Sequence, residues 1–288
     1  MNTTGTIVLI FALFTIMLGM GLTLTKRDFG RIVSDPRAVI TGLVNQLILL
    51  PLIGFLLAIG FDLSPEVATG LMLVAACPGG ATSNLIAHLS NGDTALSVSL
   101  TAISSLITIL SIPLIVNFSM NYFLGVDRTI ELNVPQLIGQ LLIIIVIPVS
   151  IGMWIRARKP EFADRMERPV KVASALVLAL VIAGIIASER ENFIPYFETA
   201  GVPALLLNVI TMIVGAITAA IMRLQRKQLI TVAIESGIQN GTLAIAIATI
   251  TLQRTDLAIP GAIYSLIMFA TGFAIILIST RSSSIAKA

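Results

Sequence analysis

The chain has 288 residues, of which 56% are hydrophobic and only 11% are charged. A soluble domain carries about a quarter charged residues, so the composition excludes an ordinary soluble protein. The net charge of +3 does not indicate a nucleic-acid partner, because the basic residues lie in short loops between apolar segments. Apolar segments of about 20 residues can cross a bilayer as helices. The sequence therefore predicts an all-α polytopic membrane protein that is surrounded by lipid.

Nine transmembrane helices are predicted from the apolar segments and from the Pro, Gly and charged residues that bound them. In chain order they cover about 5–24, 36–60, 64–89, 93–123, 134–155, 169–187, 203–222, 226–252 and 257–280. The loops are too short for a soluble domain, so residues 1–288 are expected to form a single membrane domain. The first segment lacks the flanks of a signal peptide and is expected to be retained.

The basic residues are distributed asymmetrically across this topology. Of the 18 Lys and Arg residues, only Arg128, Arg190 and Arg254 fall on the side opposite the loop after the first span. Cytoplasmic loops concentrate Lys and Arg, so the other side is predicted to be the cytoplasm. The chain is thus expected to be a multi-pass protein of the cell inner membrane, with its N-terminus outside and its C-terminus in the cytoplasm.

Two of the predicted spans are interrupted, the third at Cys77–Gly80 and the eighth around 237–241. Backbone groups that are freed inside hydrocarbon cost several kcal/mol each unless something satisfies them. A packing kink would explain one break. Two breaks, in corresponding places of two halves with opposite orientation, are typical of an inverted-repeat transporter. The ends of the half-helices would attract ions, anions at N-termini and cations at C-terminal carbonyls.

Glu235 is the only carboxylate predicted at bilayer depth, where an ionised group needs a partner or water. No basic residue is expected at the same depth, so a bound cation is the natural partner. The oxygen-bearing side chains expected near it are Asn45, Gln46, Ser83, Asn84, Thr94, Ser97, Thr101, Ser105, Gln239 and Asn240. Neutral oxygens with one carboxylate suit a hard monovalent cation, which favours sodium and leaves a proton open.

Three sequence motifs resemble the bile acid:sodium symporter family. They are Cys77-Pro-Gly-Gly-Ala-Thr-Ser-Asn84, Asn91-Gly-Asp-Thr-Ala-Leu-Ser-Val-Ser-Leu-Thr101 and Glu235-Ser-Gly-Ile-Gln-Asn240. The similarity extends over nearly the whole chain and points to bacterial homologues of the apical bile acid transporter. It implies two crossing broken helices in a core domain of spans three, four, seven, eight and nine. Spans one, two, five and six would form a panel domain, and the first span of ten-span bacterial relatives would be missing.

The resemblance also implies two sodium sites and one substrate site. One sodium site would use Ser83, Asn84, Ser97, Thr101 and Glu235. The second would use Gln46, Gln239 and Glu235 with the backbone of Ser236 and Ile238. Substrate would be bound by Ala81, Thr82, Asn240, Gly241, Thr242, Met268 and Phe269. The order Ala81-Thr82 is reversed relative to many bacterial relatives, and Met268-Phe269 replaces a His-Asn pair of some, so substrate identity stays open.

The resulting hypothesis is a sodium-coupled symporter that imports an organic anion by alternating access. Candidate substrates are bile-acid-like anions or small carboxylates such as pantoate and keto acids. The alternative is a proton-coupled or efflux carrier of the same fold. It stays open because Cys77 could act like the membrane cysteine that arsenite exporters use. An intramembrane enzyme would require Glu235, His88 and Cys77 to converge, and His88 is expected at the interface instead, so no enzymatic activity is predicted.

Overall fold

A computed structural model describes residues 3–125, 132–188 and 190–285, so Arg128 and Lys287, which count in the charge asymmetry, lie outside the described residues. The described chain is helical throughout, without a β-strand. The first half contains α1 (Thr3–Thr23), α2 (Lys26–Ser34), α3 (Pro36–Val44), α4 (Leu50–Gly60), α5 (Pro65–Ala76), α6 (Ala81–Leu89) and α7 (Thr94–Ser119). The second contains α8 (Val134–Leu141), α9 (Ile147–Arg158), α10 (Pro160–Ser188), α11 (Arg190–Ile221), α12 (Arg226–Gly237), α13 (Gly241–Ala246) and α14 (Ile259–Ile285).

Single π-helical turns continue several of these helices without ending the span. They are Asn45–Leu49 between α3 and α4, Met120–Leu124 after α7, Leu142–Val146 between α8 and α9, and Ile247–Thr251 after α13. A short 3₁₀ turn, Asp256–Ala258, precedes α14. Such π-turns widen a helix locally and are frequent at functional sites. The first of them contains Asn45 and Gln46, two amides that are predicted from the sequence to lie near Glu235.

Five helical segments of the described chain are long and apolar enough to cross a bilayer, and the pair α1 and α2, bent by 63°, makes a sixth. The five are Pro36–Gly60, Thr94–Leu124, Val134–Arg158, Phe193–Ile221 and Asp256–Thr280. They agree with the predicted spans two, four, five, seven and nine. The third and eighth fall short because each is divided at its break, and a 12-residue half such as α5 covers only about 18 Å of a 30 Å core. The protein is a multi-pass membrane protein, and the count of nine stays a prediction.

Three predicted loops are helical. The connector after the first span contains α2, whose start is fixed by a capping box in which the backbone N–H of Thr25 donates to Asp28 at 2.6 Å. The expected basic loop at 156–168 is helix except at Lys159, and α11 begins 13 residues before the predicted start at Pro203. Charged or proline-containing helical turns that extend beyond the apolar segment are invisible to a hydropathy criterion.

The helices pack in two groups. The helices α1, α9 and α10 lie against one another, and α5, α7, α11, α12 and α14 form a larger group. The second span, α3 and α4, packs mainly against α5, α7, α11 and α12. Its position within the larger group brings Gln46 next to the break of the eighth span.

An ion pair fastens α2 to this larger group. The Arg31 guanidinium donates to both carboxylate oxygens of Asp93, at 2.9 and 2.7 Å. Asp93 also caps α7 by accepting the Leu96 N–H at 3.0 Å, and its own N–H donates to the Lys227 carbonyl at the start of α12. Asp93 therefore connects three helices, α2 and α7 through its carboxylate and α12 through its backbone N–H.

This pair predicts acid sensitivity. Partial burial acts to raise the pKa of Asp93, but the bonds from Arg31 and Leu96 outweigh it and hold that pKa below its ordinary value. A lowered folded-state pKa stabilises the fold above about pH 4 and loses that contribution as the pH falls further. The partly exposed pair of Arg31 and Asp93 contributes about 1 kcal/mol to stability. We expect Asp93→Asn to lower the unfolding temperature at pH 7, with the difference from the native chain shrinking as the pH is lowered to 3. The exposed control Asp62→Asn should differ little from native at either pH, and equal effects of both variants would contradict the assignment.

Candidate functional site

The two breaks meet inside the protein. Gly79 in the first and Gln239 in the second form an antiparallel β-bridge, and the Asn240 N–H donates to the Pro78 carbonyl at 2.8 Å. Extended backbone at Cys77 and Ile238 makes this pairing possible. The bridge satisfies backbone groups that both helices release at bilayer depth, where unpaired groups are expensive.

Glu235, one turn before this bridge on α12, lies in a cluster of oxygens with 1% of its surface exposed. Ser97 Oγ lies 2.5 Å from Glu235 Oε1, and Thr101 Oγ1 lies 3.1 Å from Oε2. The same two hydroxyls contact Asn84 Oδ1 at 2.7 and 3.3 Å. Helices α6, α7 and α12 thus each contribute oxygens to one point, which we call the carboxylate cluster (Asn84, Ser97, Thr101 and Glu235).

The carboxylate cluster has fewer protons than its contacts require. Two hydroxyls face three acceptor oxygens through four contacts, and each hydroxyl carries one proton. Within the residues that the structure describes, no Lys, Arg or His forms an ion pair with Glu235. A hard monovalent cation would supply the missing positive charge and accept the spare oxygen lone pairs.

A second polar group adjoins Glu235 on its backbone side. The Gln239 amide donates to the carbonyls of Glu235 and Ser236 at 3.2 and 3.0 Å. Gln46 Nε2 faces Gln239 Oε1 at 3.4 Å, and Gln46 Oε1 is buried without a hydrogen-bond partner. The Ile238 N–H is used within its helix by the Ile234 carbonyl, and Ser236 Oγ donates to Val232. The orphaned Gln46 oxygen is the feature that a second cation would satisfy.

Other sequence candidates have local roles. Ser83 Oγ adjoins the Glu235 carboxylate and donates to the Gly80 carbonyl at 2.7 Å, and Ser105 Oγ donates to the Thr101 carbonyl at 2.6 Å. His88 is exposed and contacts Thr94 at 3.4 Å, whereas Cys77 is buried. His88 therefore does not converge with Cys77 and Glu235, the arrangement that an intramembrane enzyme would need.

A narrow cleft lies on the other side of the bridge. Gly80, Gln239 and, from α1 and α10, Ile16 and Leu178 line it together with six of the seven predicted substrate residues, which are Ala81, Thr82, Asn240, Gly241, Thr242 and Met268. Its volume of about 20 Å³ has room for about one water molecule. Phe269, 37% exposed, does not line the cleft. Gln239 belongs to both the cleft and the second polar group, so the two sites share a side chain.

Sequence reasoning missed Asn208 and Tyr264. Asn208 Nδ2 and the Tyr264 hydroxyl both donate to the carbonyl of Gly237, at 2.8 and 2.7 Å. Both side chains are fully buried. The break frees this carbonyl, and the two donors replace the helical N–H that it lost. A polar side chain in the middle of an apolar span was the available signal for each.

We expect these two donors to act as a unit. Tyr264→Phe or Asn208→Leu removes one of two hydrogen bonds and should cost about 1 kcal/mol, whereas the double variant orphans a buried carbonyl and should cost about 2–3 kcal/mol beyond the sum. Unfolding of the purified variants measures this coupling, with Tyr122→Phe, half exposed, as the control. Additive losses would contradict shared satisfaction of the Gly237 carbonyl.

Comparison with known proteins identifies the family. A family model described as "Sodium Bile acid symporter family" matches residues 10–195, which include the first break and the hydroxyls of α7. The chain belongs to the sodium bile acid symporter family.

Relatives within the sodium bile acid symporter family are named as transporters. The chain is 31% identical over 250 residues to the "Uncharacterized sodium-dependent transporter YocS" of Bacillus subtilis (strain 168). The aligned residues cover 87% of this chain and 76% of that protein. It is 29% identical over 252 residues to the human "Ileal sodium/bile acid cotransporter", and this alignment covers 87% of this chain and 71% of the human protein. It is 29% identical over 258 residues to the "Probable sodium/metabolite cotransporter BASS2, chloroplastic" of Oryza sativa subsp. japonica. This alignment covers 89% of this chain and 60% of the rice protein. The chain thus spans less than two thirds of the rice protein.

Proposed function

We propose that this member of the sodium bile acid symporter family is a sodium-coupled symporter that imports an organic anion. The observation that carries the proposal is the carboxylate cluster, in which Glu235 is buried among neutral oxygens without a basic partner in the described chain. A bilayer-depth carboxylate in this setting is best explained by a cation that binds and leaves during each cycle. Membership of a sodium-dependent family favours sodium over other monovalent ions.

Two sodium ions are proposed, one on each side of Glu235. The first would contact the carboxylate cluster with Ser83. The second would contact Gln46, Gln239 and Glu235 with the backbone of Ser236 and Ile238, and the unpartnered Gln46 oxygen supports it. Both ions would lie against the crossing point, so their binding would fix the relative position of the two broken helices. Sodium occupancy would thereby set the shape of the cleft on the far side of the bridge.

The organic anion is proposed to bind in the cleft at the crossing. The N-terminal end of α6 begins there at Ala81, and helix N-termini favour negative charge. The present cleft is too small for such an anion, so binding requires α1 and α10 to move away from the crossing. We propose that α1, α9 and α10 form the moving panel and that the other spans, including α3 and α4, form the core. The resemblance placed the second span in the panel; we propose the core instead, because Gln46 faces Gln239.

The same proposal includes the membrane topology: nine spans in an inverted repeat, with the N-terminus outside and the C-terminus in the cytoplasm of a cell inner membrane. Each half of the repeat would contain one broken helix, α5 with α6 and α12 with α13, followed by one long span. Opposite orientation of the halves would give alternating access by rocking one group of helices against the other.

Uptake into proteoliposomes tests the function and the substrate class together. Labelled taurocholate and labelled pantoate represent the amphipathic and the small carboxylates. We expect one of them to accumulate at least about tenfold more with an inward sodium gradient than with an equal potassium gradient, a ratio that corresponds to about 1.4 kcal/mol of coupling. Equal uptake in both salts, with accumulation driven by a pH gradient, would instead establish the proton-coupled alternative, and export of either compound would establish the efflux carrier.

A further inference from the structure

A basic cavity lies at the turn between α9 and α10. It has a volume of about 390 Å³, is open to the surroundings and is lined by Arg158, Lys159, Pro160, Glu161, Phe162 and Arg165. Three cations and one carboxylate leave the lining with a net positive charge. We call Arg158, Lys159 and Arg165 the basic elbow. None of them lines the cleft at the crossing, so the cavity is separate from the proposed transport site.

The charges of the basic elbow are available to a ligand. In the described part of the chain, none of the three residues forms an ion pair. The nearby Asp164 forms an ion pair with Arg156 instead. This pair connects the start of α10 to the end of α9. The Arg158 guanidinium lies 6.0 Å above the ring of Trp154, which is 62% exposed. Trp is enriched where a membrane surface meets water, so the basic elbow lies at headgroup level.

An apolar crevice lies on the membrane side of the basic elbow. Its volume is about 140 Å³, and the residues that line it from α1, α7 and α9 include Met20, Leu106, Ser150 and Met153. On α9, Ser150 lines the crevice, Trp154 follows one turn later and Arg158 follows another turn later. This i, i+4 spacing places all three on one stripe, about 12 Å long at 1.5 Å per residue. The stripe therefore leads from an apolar crevice to a basic cavity.

We propose that this stripe binds an anionic phospholipid, with the phosphate group at the basic elbow and the upper acyl chain in the crevice. A free phosphate would use the cations but gain nothing from the crevice. A zwitterionic lipid would fill the crevice, but its choline group would be repelled by the net positive charge. The lipid would bridge α1 and α9, two members of the proposed moving panel, at the point where α10 begins.

Trp154 is the only tryptophan of the chain and reports directly on this site. Phosphatidylglycerol and phosphatidylcholine with brominated acyl chains quench a tryptophan that they contact. We would titrate each lipid into the full chain in neutral detergent and follow Trp154 fluorescence. We expect phosphatidylglycerol to quench at concentrations at least about tenfold lower than phosphatidylcholine.

Removal of the basic elbow should abolish this preference. Each Lys or Arg near a membrane surface raises the affinity for anionic lipid by a factor of roughly five. Replacing Arg158, Lys159 and Arg165 together by Gln should therefore lower the affinity for phosphatidylglycerol on the order of 100-fold. The matched control replaces Arg223, Arg226 and Lys227 by Gln, which removes the same charge on the same predicted side and should change the affinity less than about threefold. If the triple variant does not fold, Arg158→Gln alone should lower the affinity for phosphatidylglycerol about fivefold.

Three results would overturn the proposal. The first is equal quenching of the native chain by both lipids. The second is an equal loss in the elbow and control variants, which would reduce the effect to general surface charge. The third is displacement of brominated phosphatidylglycerol by millimolar inorganic phosphate, which would make the cavity a site for free anions.

Discussion

Glu235→Gln is expected to abolish sodium-driven uptake while leaving the fold intact. Glutamine keeps the shape, accepts a hydrogen bond from one of the hydroxyls of Ser97 and Thr101 and donates to the other, but it removes the only negative charge of the carboxylate cluster. At an effective dielectric constant near 20, one charge at contact distance contributes several kcal/mol to cation binding, part of which offsets desolvation. We therefore expect sodium affinity to fall on the order of 100-fold, equivalent to about 2.7 kcal/mol.

The measurement is initial uptake against sodium concentration in proteoliposomes that contain equal amounts of folded protein. Glu198→Gln, which changes an exposed carboxylate, is the control and should behave like the native chain. Because Glu235 adjoins both polar groups, its loss should remove the dependence on sodium altogether rather than shift one of two phases. A variant that retained native sodium dependence would exclude Glu235 from ion binding.

Gly79→Ala is expected to damage the same site from the opposite break. A Cβ at this position would lie 2.5 Å from Glu235 Oε2, 3.2 Å from Ser83 Oγ and 3.3 Å from Gln46 Nε2. The first distance is below any ordinary carbon–oxygen contact, so the carboxylate must move. Overpacking of this kind costs typically 1–3 kcal/mol, and the displaced carboxylate should lower sodium affinity at least about tenfold.

Gly80→Ala supplies a closely matched control. A Cβ at Gly80 meets only Asn240, at 3.7 Å, which is an ordinary contact. Both glycines lie in the same break, so a general loss of chain flexibility would affect the two variants alike. The proposed ion site predicts that sodium raises the unfolding temperature of Gly79→Ala less than that of the native chain. For Gly80→Ala, the rise should be close to that of the native chain. The reverse order would contradict the position of the carboxylate.

The carboxylate cluster was predictable because an apolar chain makes each buried polar residue conspicuous. Glu235 is the one carboxylate that the sequence predicts at bilayer depth, and the i, i+4 spacing of Ser97 and Thr101 places their hydroxyls on one face of α7. The same stripe also contains Thr94 and Ser105, which contact His88 and the Thr101 carbonyl instead. Spacing on one helix selects a face, but only tertiary packing decides which part of that face meets Glu235.

The features that escaped prediction depend on backbone groups or on charged helical turns. Asn208 and Tyr264 act on the Gly237 carbonyl, and a sequence pattern does not show which carbonyl a break leaves free. The sequence predicts a loop in place of α2 because Lys26, Arg27 and Asp28 interrupt the apolar pattern. The Thr25-x-x-Asp28 capping box was the signal that could have revealed its start.

Equilibrium sodium binding tests the central claim most directly. Purified native chain and Glu235→Gln would be titrated with sodium chloride in a calorimeter, with choline chloride to keep the ionic strength constant. The proposal predicts saturable sodium binding to the native chain and none in the same concentration range for Glu235→Gln, with both chains equally helical by circular dichroism. Saturable binding of equal affinity to both chains would contradict the assignment of Glu235 as the sodium ligand that couples the two broken helices.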